Sequence, residues 1–400
     1  MSLNETVSAD RVHIGFFGRR NAGKSSLVNA VTGQSLAVVS DTPGTTTDPV
    51  KKAMELLPLG PVLITDTAGF DDEGELGELR VEKTRDVLSS TDIAVLVTDS
   101  PEGLDESESR FEKLIQERKI PYIIVRSKSD LYGNVPEDGR DGIRVSARTG
   151  EGIHELKEKL ASFSGLIRGK DRRIIADLIK EGDTVILVTP IDESAPKGRI
   201  ILPQQQTLRD LLDAHATAVV CQPEELAGTI EKIRPAAVVT DSQAFGKVAA
   251  AVPRDIPLTS FSILFARYKG SLKDQIKGVA ALKALKDGDP VLVAEGCTHH
   301  RQCGDIGTVK LPALIRKTTG ASPEFSFTSG GEFPKDLSRY RLILHCGACM
   351  LNEAAVTARM ELAKEAGVPV VNYGIALAYM NGILERSLEL LPEYLAMLGE

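Results

Sequence analysis

The feature that most constrains this chain is the apolar run Val12 to Phe17. It meets Gly18-Arg19-Arg20-Asn21-Ala22-Gly23-Lys24-Ser25 and then the helical pattern Ser26-Leu27-Val28-Asn29-Ala30-Val31. A strand that turns through G-x-x-x-x-G-K-S into a helix is a phosphate-binding loop, and it fixes the first domain as α/β. The glycines let backbone N–H groups curl around phosphate oxygens at the positive end of the helix. Lys24 reaches the β and γ phosphates, and Ser25 can ligate Mg2+. Gly18, Asn21, Ala22, Gly23, Lys24, Ser25 and Ser26 are therefore the expected phosphate contacts. A chance Gly-rich turn is the competing explanation, and the ordered pieces downstream argue against it. Thr45-Thr46-Thr47-Asp48 lies in a Gly-Pro-Thr loop that can order over the γ phosphate, with Thr46 on Mg2+. Val62 to Thr65 reads as a strand ending in Asp66-Thr67-Ala68-Gly69, where Asp66 can hold Mg2+ through water and the Gly69 N–H can sense the γ phosphate. Lys24, Thr46, Asp66 and Gly69 form the expected catalytic set.

The base is read from Ser127-Lys128-Ser129-Asp130, after the predicted strand Tyr122 to Val125, and from Ser146-Ala147, after Ile143 to Val145. A carboxylate at Asp130 can accept from guanine N1–H and the exocyclic amine. Adenine has no such donor pair and would leave the carboxylate unpaired, so GTP and GDP are the expected ligands.

With 400 residues, two or three domains are expected. The rest of the chain alternates short β-branched runs with helical periods, so largely parallel α/β layers are expected throughout, and no repeat or low-complexity segment is read. An amphipathic helix, Gly152 to Phe163, gives way to the basic run Arg168 to Arg173, which reads as a solvated linker. The expected domains are 1–166, 167–261 and 262–400. The middle one has predicted strands at Thr184 to Thr189, Ala218 to Val220, Ala236 to Thr240 and Leu258 to Phe261 and no catalytic motif, which suits self-association. The net charge of −8 argues against a nucleic-acid partner. No signal peptide or membrane span is read, so a cytoplasmic protein is expected.

The cysteines mark a second chemistry. The predicted strand Pro290 to Ala294 leads into Glu295-Gly296-Cys297-Thr298-His299-His300, and Arg341 to Leu344 leads into His345-Cys346-Gly347-Ala348-Cys349. Both clusters fall at the carboxyl ends of strands, the edge where an open α/β sheet binds ligands. Soft thiolates at Cys297, Cys346 and Cys349 select zinc or an iron–sulfur centre, and a thioredoxin-like pair is the lesser alternative. His299 and His345 can fill a fourth metal position or hydrogen-bond a cluster sulfur. Cys303 and Cys221 read as small buried residues.

The nucleotide motifs resemble those of the translation-factor-related GTPases, especially the branch containing the tRNA-modifying GTPase MnmE. Their fourth motif usually reads N-K-x-D; here Ser127 replaces the Asn and is too short to repeat every amide contact. Phe70 stands where Ras-like proteins carry a water-orienting Gln, which implies slow hydrolysis. The acidic run Asp71-Asp72-Glu73 can orient water or simply be a solvated surface. Asn21 matches an Asn with which similar GTPases ligate K+; otherwise it stabilises the loop. The pattern C-x-H, 45 residues (300 to 344), then H-C-x-x-C is similar to the signature of the HydF family of FeFe-hydrogenase maturation GTPases. Asp41 to Pro49 and Gly74 to Arg80 look like that family's switch segments. The resemblance implies a 4Fe-4S cluster on Cys297, Cys346 and Cys349, a homodimer through the central domain, and a scaffold or carrier role. In that role a transient diiron precursor made with the radical-SAM maturases HydE and HydG is passed to apo FeFe hydrogenase. Two rival expectations are a GTPase of RNA modification or ribosome assembly, and a zinc protein using the same residues.

Overall fold

Residues 14–18 are buried without a break, the pattern of a central parallel strand covered on both faces. The computed structural model describes residues 8–33, 49–70, 75–100, 103–132, 142–167, 172–191, 200–269, 271–296, 305–330 and 332–398. It divides into two compact units, one of residues 1–170 with 352–355 and one of residues 171–351 with 356–400.

The first unit is built on β1 (Val12–Gly18), β2 (Val50–Leu56), β3 (Gly60–Asp66), β4 (Ile93–Thr98), β5 (Tyr122–Arg126) and β6 (Gly142–Arg144). Their order is β2-β3-β1-β4-β5-β6, parallel except for β2, which runs antiparallel to β3. Neighbouring side chains on a strand face opposite ways. Phe16 therefore joins a core with Leu27, Val28, Leu156 and Leu160 of the helices Lys24–Thr32 and Ile153–Ser162. Phe17 joins a second core with Leu88, Phe111 and Ile115. Because β3 and β4 flank β1 on opposite sides, the chain reverses direction there. The crevice at the carboxyl edge of such a switch point is the ligand site of open α/β sheets.

The second unit holds two all-parallel sheets. One contains β7 (Thr184–Val188), β8 (Thr217–Cys221), β9 (Ala237–Thr240) and β10 (Leu258–Ser260) in the order β10-β9-β7-β8. The other contains β11 (Pro290–Ala294), β12 (Glu324–Thr328), β13 (Leu342–His345) and β14 (Val370–Asn372) in the order β12-β11-β13-β14. Both place the first strand centrally, the second on one side, and the third and fourth on the other. The likeness reaches single hydrogen bonds. Ala236 N donates to Thr184 O as Arg341 N does to Pro290 O, and Val238 N donates to Pro257 O as Ile343 N does to Pro369 O. Ser260 and Asn372 cap the equivalent helices Phe261–Tyr268 and Tyr373–Met380 through Ile263 N and Ile375 N. Pro257, Ile263, Ala266 and Gly270 recur as Pro369, Ile375, Ala378 and Gly382.

The expectation of no internal repeat is thus corrected. The shared positions are mostly apolar, and apolar positions recur in any buried strand or helix, so only the register reveals the duplication. The helix Phe261–Tyr268 packs Phe261, Leu264 and Phe265 into the core under β7 and β9, while Ile263 and Ala266 join the core of the second sheet. No described helix is long and apolar enough to cross a membrane.

Candidate functional site

In the first unit the loop after β1 is shaped by close approaches. A Cβ on Gly18 would lie 2.2 Å from the Val97 carbonyl oxygen, so only glycine fits. Asn21 and Gly23 take left-handed backbone, with φ of 61° and 91°. No side chain caps the helix Lys24–Thr32, which leaves its first turn to an anion. The buried Lys24 Nζ donates to Gly18 O (3.0 Å) and Arg19 O (2.7 Å) and so lies along the loop it serves. Ser25 Oγ donates to Asp66 Oδ2 at 2.5 Å, while the buried Asp66 Oδ1 has no hydrogen-bond partner. Burial pushes the Asp66 carboxyl up, against the Ser25 hydrogen bond and the nearby Lys24 and Lys52 charges. An orphaned carboxylate oxygen beside a hydroxyl is a donor set for Mg2+. Thr67 Oγ1 donates to Phe16 O (2.7 Å), which ties the Asp66–Gly69 turn to β1. Phe70 stacks on Phe111 with ring centroids 4.6 Å apart, so its ring supports a core. Thr46, Asp41 to Asp48 and Asp71 to Gly74 lie outside the described residues.

The base-recognition residues meet at the same edge. Ser127 Oγ donates to the Ala22 carbonyl, and Ser127 N donates to Thr98 O (2.8 Å), so the short Ser still tethers the phosphate loop. Lys128, left-handed at φ 58°, donates to Asp99 Oδ2 (2.8 Å). Asp130 accepts from Ser146 Oγ (2.6 Å) and Arg148 Nε (2.8 Å). The Ser146 hydrogen bond, helped by Arg148, holds its carboxyl below the usual range. Sequence reasoning missed Arg148. It also missed Arg19, which pairs with Asp99 (3.4 Å), Asp105 (2.9 Å) and the buried Glu108 (3.2 Å). No spacing rule links a loop arginine to carboxylates some 80 residues on.

In the second unit β11 and β13 are neighbours, with Ala294 opposite His345. Cys346 N donates to Ala294 O (2.9 Å), and Cys346 Sγ accepts from Gly296 N (3.0 Å) and Ala348 N (3.4 Å). The residue immediately before Cys297 thus touches the Cys346 sulfur. Cys346 and Cys349 are half-buried on one short loop. Burial, with Cys346 adding and Lys269 opposing, pushes the Cys349 thiol up. Tyr373 Oη donates to the buried Glu295 Oε1 (3.4 Å), and Gly307 packs so tightly there that a Cβ would lie 2.4 Å from that hydroxyl. Arg359 donates to His345 Nε2 (3.1 Å), and His345 Nδ1 lies 2.8 Å from Cys346 O. A guanidinium only donates, so Nε2 accepts and Nδ1 carries the proton. Both ring nitrogens of His345 are thereby engaged. Cys297, His299, His300 and Cys303 lie outside the described residues, among which no group of three metal-ligating side chains occurs. Cys221, on the edge strand β8 of the other sheet, is half-buried, which corrects the expectation of a fully buried residue: an edge strand is covered on fewer sides.

Comparison with known proteins follows the same division. Residues 13–128 match the family model of the 50S ribosome-binding GTPase, residues 174–270 that of the hydrogen maturase F dimerization domain, and residues 273–390 that of the hydrogen maturase F tetramerization domain. The chain is 38% identical over 165 residues to the tRNA modification GTPase MnmE of Chromobacterium violaceum, covering 40% of this chain and 36% of that one. The MnmE of Acetivibrio thermocellus is 35% identical over 154 residues, covering 36% and 33%. The chain therefore spans about a third of the length of these curated relatives. A crystal structure of Aquifex aeolicus Era bound to GDP.AlF4- aligns at 18% identity and a TM-score of 0.35, over 52% of this chain and 93% of that one. The first unit is a P-loop GTPase domain for GTP or GDP with Mg2+, and α/β domains that match dimerization and tetramerization models follow it.

Proposed function

Since the chain belongs to the hydrogen maturase F family, we propose that it is a GTP-hydrolysing scaffold that binds a 4Fe-4S cluster and carries a diiron precursor to apo FeFe hydrogenase. The observation that carries this reading is the Gly296 N–H on the Cys346 sulfur, because it brings the residue before Cys297 onto the Cys346–Cys349 loop. Two backbone N–H groups on one sulfur suit a thiolate, so the donor set fits the cluster. Cys297, Cys346 and Cys349 would hold it, and with three thiolates the bound cluster supplies one iron free for exchangeable chemistry. His345, with both nitrogens engaged, orients Cys346; His299 remains the candidate for the fourth position.

In the GTPase domain Gly18, Ala22, Gly23, Lys24 and Ser26 bind phosphate. Ser25, Asp66 and Thr46 hold Mg2+, Gly69 senses the γ phosphate, and Asn21 binds K+. Ser127, Lys128, Asp130, Ser146 and Ala147 bind guanine. With Phe70 committed to packing, hydrolysis is slow, and the potassium ion on Asn21 stimulates it. We take residues 1–166 as this domain and 167–261 as the dimerisation domain. The cluster domain spans 262–400, with the helix Phe261–Tyr268 shared between the last two. The partners are a second copy, HydE, HydG and apo hydrogenase, in the cytoplasm. Anaerobic reconstitution tests the reading: a brown protein with absorption near ~400 nm and a cluster EPR signal after reduction is expected. A colourless protein tightly loaded with zinc would favour the RNA-modification or ribosome-assembly alternative.

A further inference from the structure

We propose that Lys269, bonded to the cysteine loop, and Arg359, bonded to the His345 beside it, form a pair of buried cations that set the reduction potential of the cluster; the assignment rests on the cluster reading above. Lys269, at the end of the helix Phe261–Tyr268, is buried and donates through Nζ to the carbonyls of Ala348 and Leu351. These carbonyls bracket Cys349, and Ala348 holds a left-handed backbone at φ 53° that an alanine adopts reluctantly. Arg359, on the helix Glu353–Glu365, is also buried. It donates to His345 Nε2 and to Gly330 O (2.6 Å) and lies over the Phe333 ring at 4.9 Å. Among the described residues no carboxylate pairs with Arg359. Burial pulls its pKa down, and the Cys346 sulfur opposes that shift.

The duplicated fold supplies an internal comparison. Where the second copy has His345-Cys346, the first has Thr240-Asp241, and the buried Thr240 Oγ1 has no hydrogen-bond partner. Where the first copy has Lys269, the second has Asn381, whose side chain merely caps its own helix at Leu377 O. Lys269 is therefore not part of the repeat's framework; it stands in the first copy and reaches across to the cysteine loop of the second. The electrostatic consequence has a definite sign. An oxidised 4Fe-4S core carries two positive charges, so three thiolates make it a monoanion and one-electron reduction a dianion. A fixed cation stabilises the dianion more than the monoanion, and in a low-dielectric site this attraction is weakly screened. Both cations thus favour the reduced cluster, and their hydrogen bonds fix Lys269 on the cysteine loop and Arg359 on His345.

The test uses the full chain, reconstituted anaerobically, with EPR-monitored redox titration and iron counting. Lys269→Gln and Arg359→Gln put a neutral amide donor in place of the cation; Lys269→Arg and Arg359→Lys keep the charge. Each Gln variant is expected to shift the reduced-to-oxidised ratio at fixed potential about tenfold towards oxidised, ~59 mV for one electron. The charge-keeping variants should stay near the parent. Unshifted Gln variants with full iron would overturn the proposal. Loss of iron in a Gln variant that its charge-keeping partner restores supports it, and loss in both assigns these residues to loop building alone. A parent chain that takes up zinc and gives no cluster signal would instead defeat the underlying cluster reading.

Discussion

Replacing Ser127 with alanine removes one hydrogen bond, and the structure allows its effect to be worked out. Ser127 is 6% exposed, Ala22 is fully buried, and the Ser127 hydroxyl donates to the Ala22 carbonyl. Without it a buried carbonyl is left unpaired, at a cost of about 1–3 kcal/mol. If the loop keeps its shape, the loss appears as stability: at ~2–4 °C per kcal/mol for a domain of this size, the melting point falls by ~2–12 °C. If the loop opens in the free protein instead, GDP must re-form it. Affinity then falls by the same energy, about 5- to 150-fold. Thermal unfolding with and without GDP, together with a fluorescent-GDP titration, separates the two cases. Ser127→Asn is expected to do no better than the parent. The Ser127 hydroxyl already supplies the bond to the Ala22 carbonyl that an amide would have to replace. A Ser127→Ala protein with unchanged melting point and GDP affinity would refute the tether.

Lys24→Ala should abolish hydrolysis, leave the cluster spectrum intact and impair hydrogenase activation; full activation by this variant would make the GTPase dispensable. Cys297→Ser, Cys346→Ser and Cys349→Ser should each lower bound iron, whereas Cys221→Ser and Cys303→Ser should not, as iron and sulfide assays on the reconstituted variants will show. Hydrolysis should run faster in potassium than in sodium, and Asn21→Ala should remove the difference; equal parent rates in the two salts would eliminate the cation role of Asn21.

The sequence disclosed most where chemistry imposes a contiguous pattern. The phosphate loop could be read because glycines, Lys24 and Ser25 must stand at fixed spacing between a strand and a helix, and the strand Pro290–Ala294 was legible as an apolar run bounded by turn residues. Strand ends elsewhere moved by a residue or so, as at Thr217–Cys221 and Leu342–His345, because pairing with a neighbour sets a strand's limits and hydropathy does not. The antiparallel edge strand Val50–Leu56 was missed, since its charged residues Lys51, Lys52 and Glu55 mask the alternation. The tethers were invisible for a different reason. Ser127 to Ala22, Arg359 to His345 and Lys269 to Ala348 join residues whose types are ordinary and whose separations obey no period. The duplication supplies a partial remedy. Once two copies share a register, a residue that differs between them at a matching position stands out against the shared framework. Lys269 against Asn381 and Cys346 against Asp241 are such differences, and both fall on the cysteine loop or in contact with it. Function in the second unit is therefore to be sought where its two halves disagree, and stability where they agree.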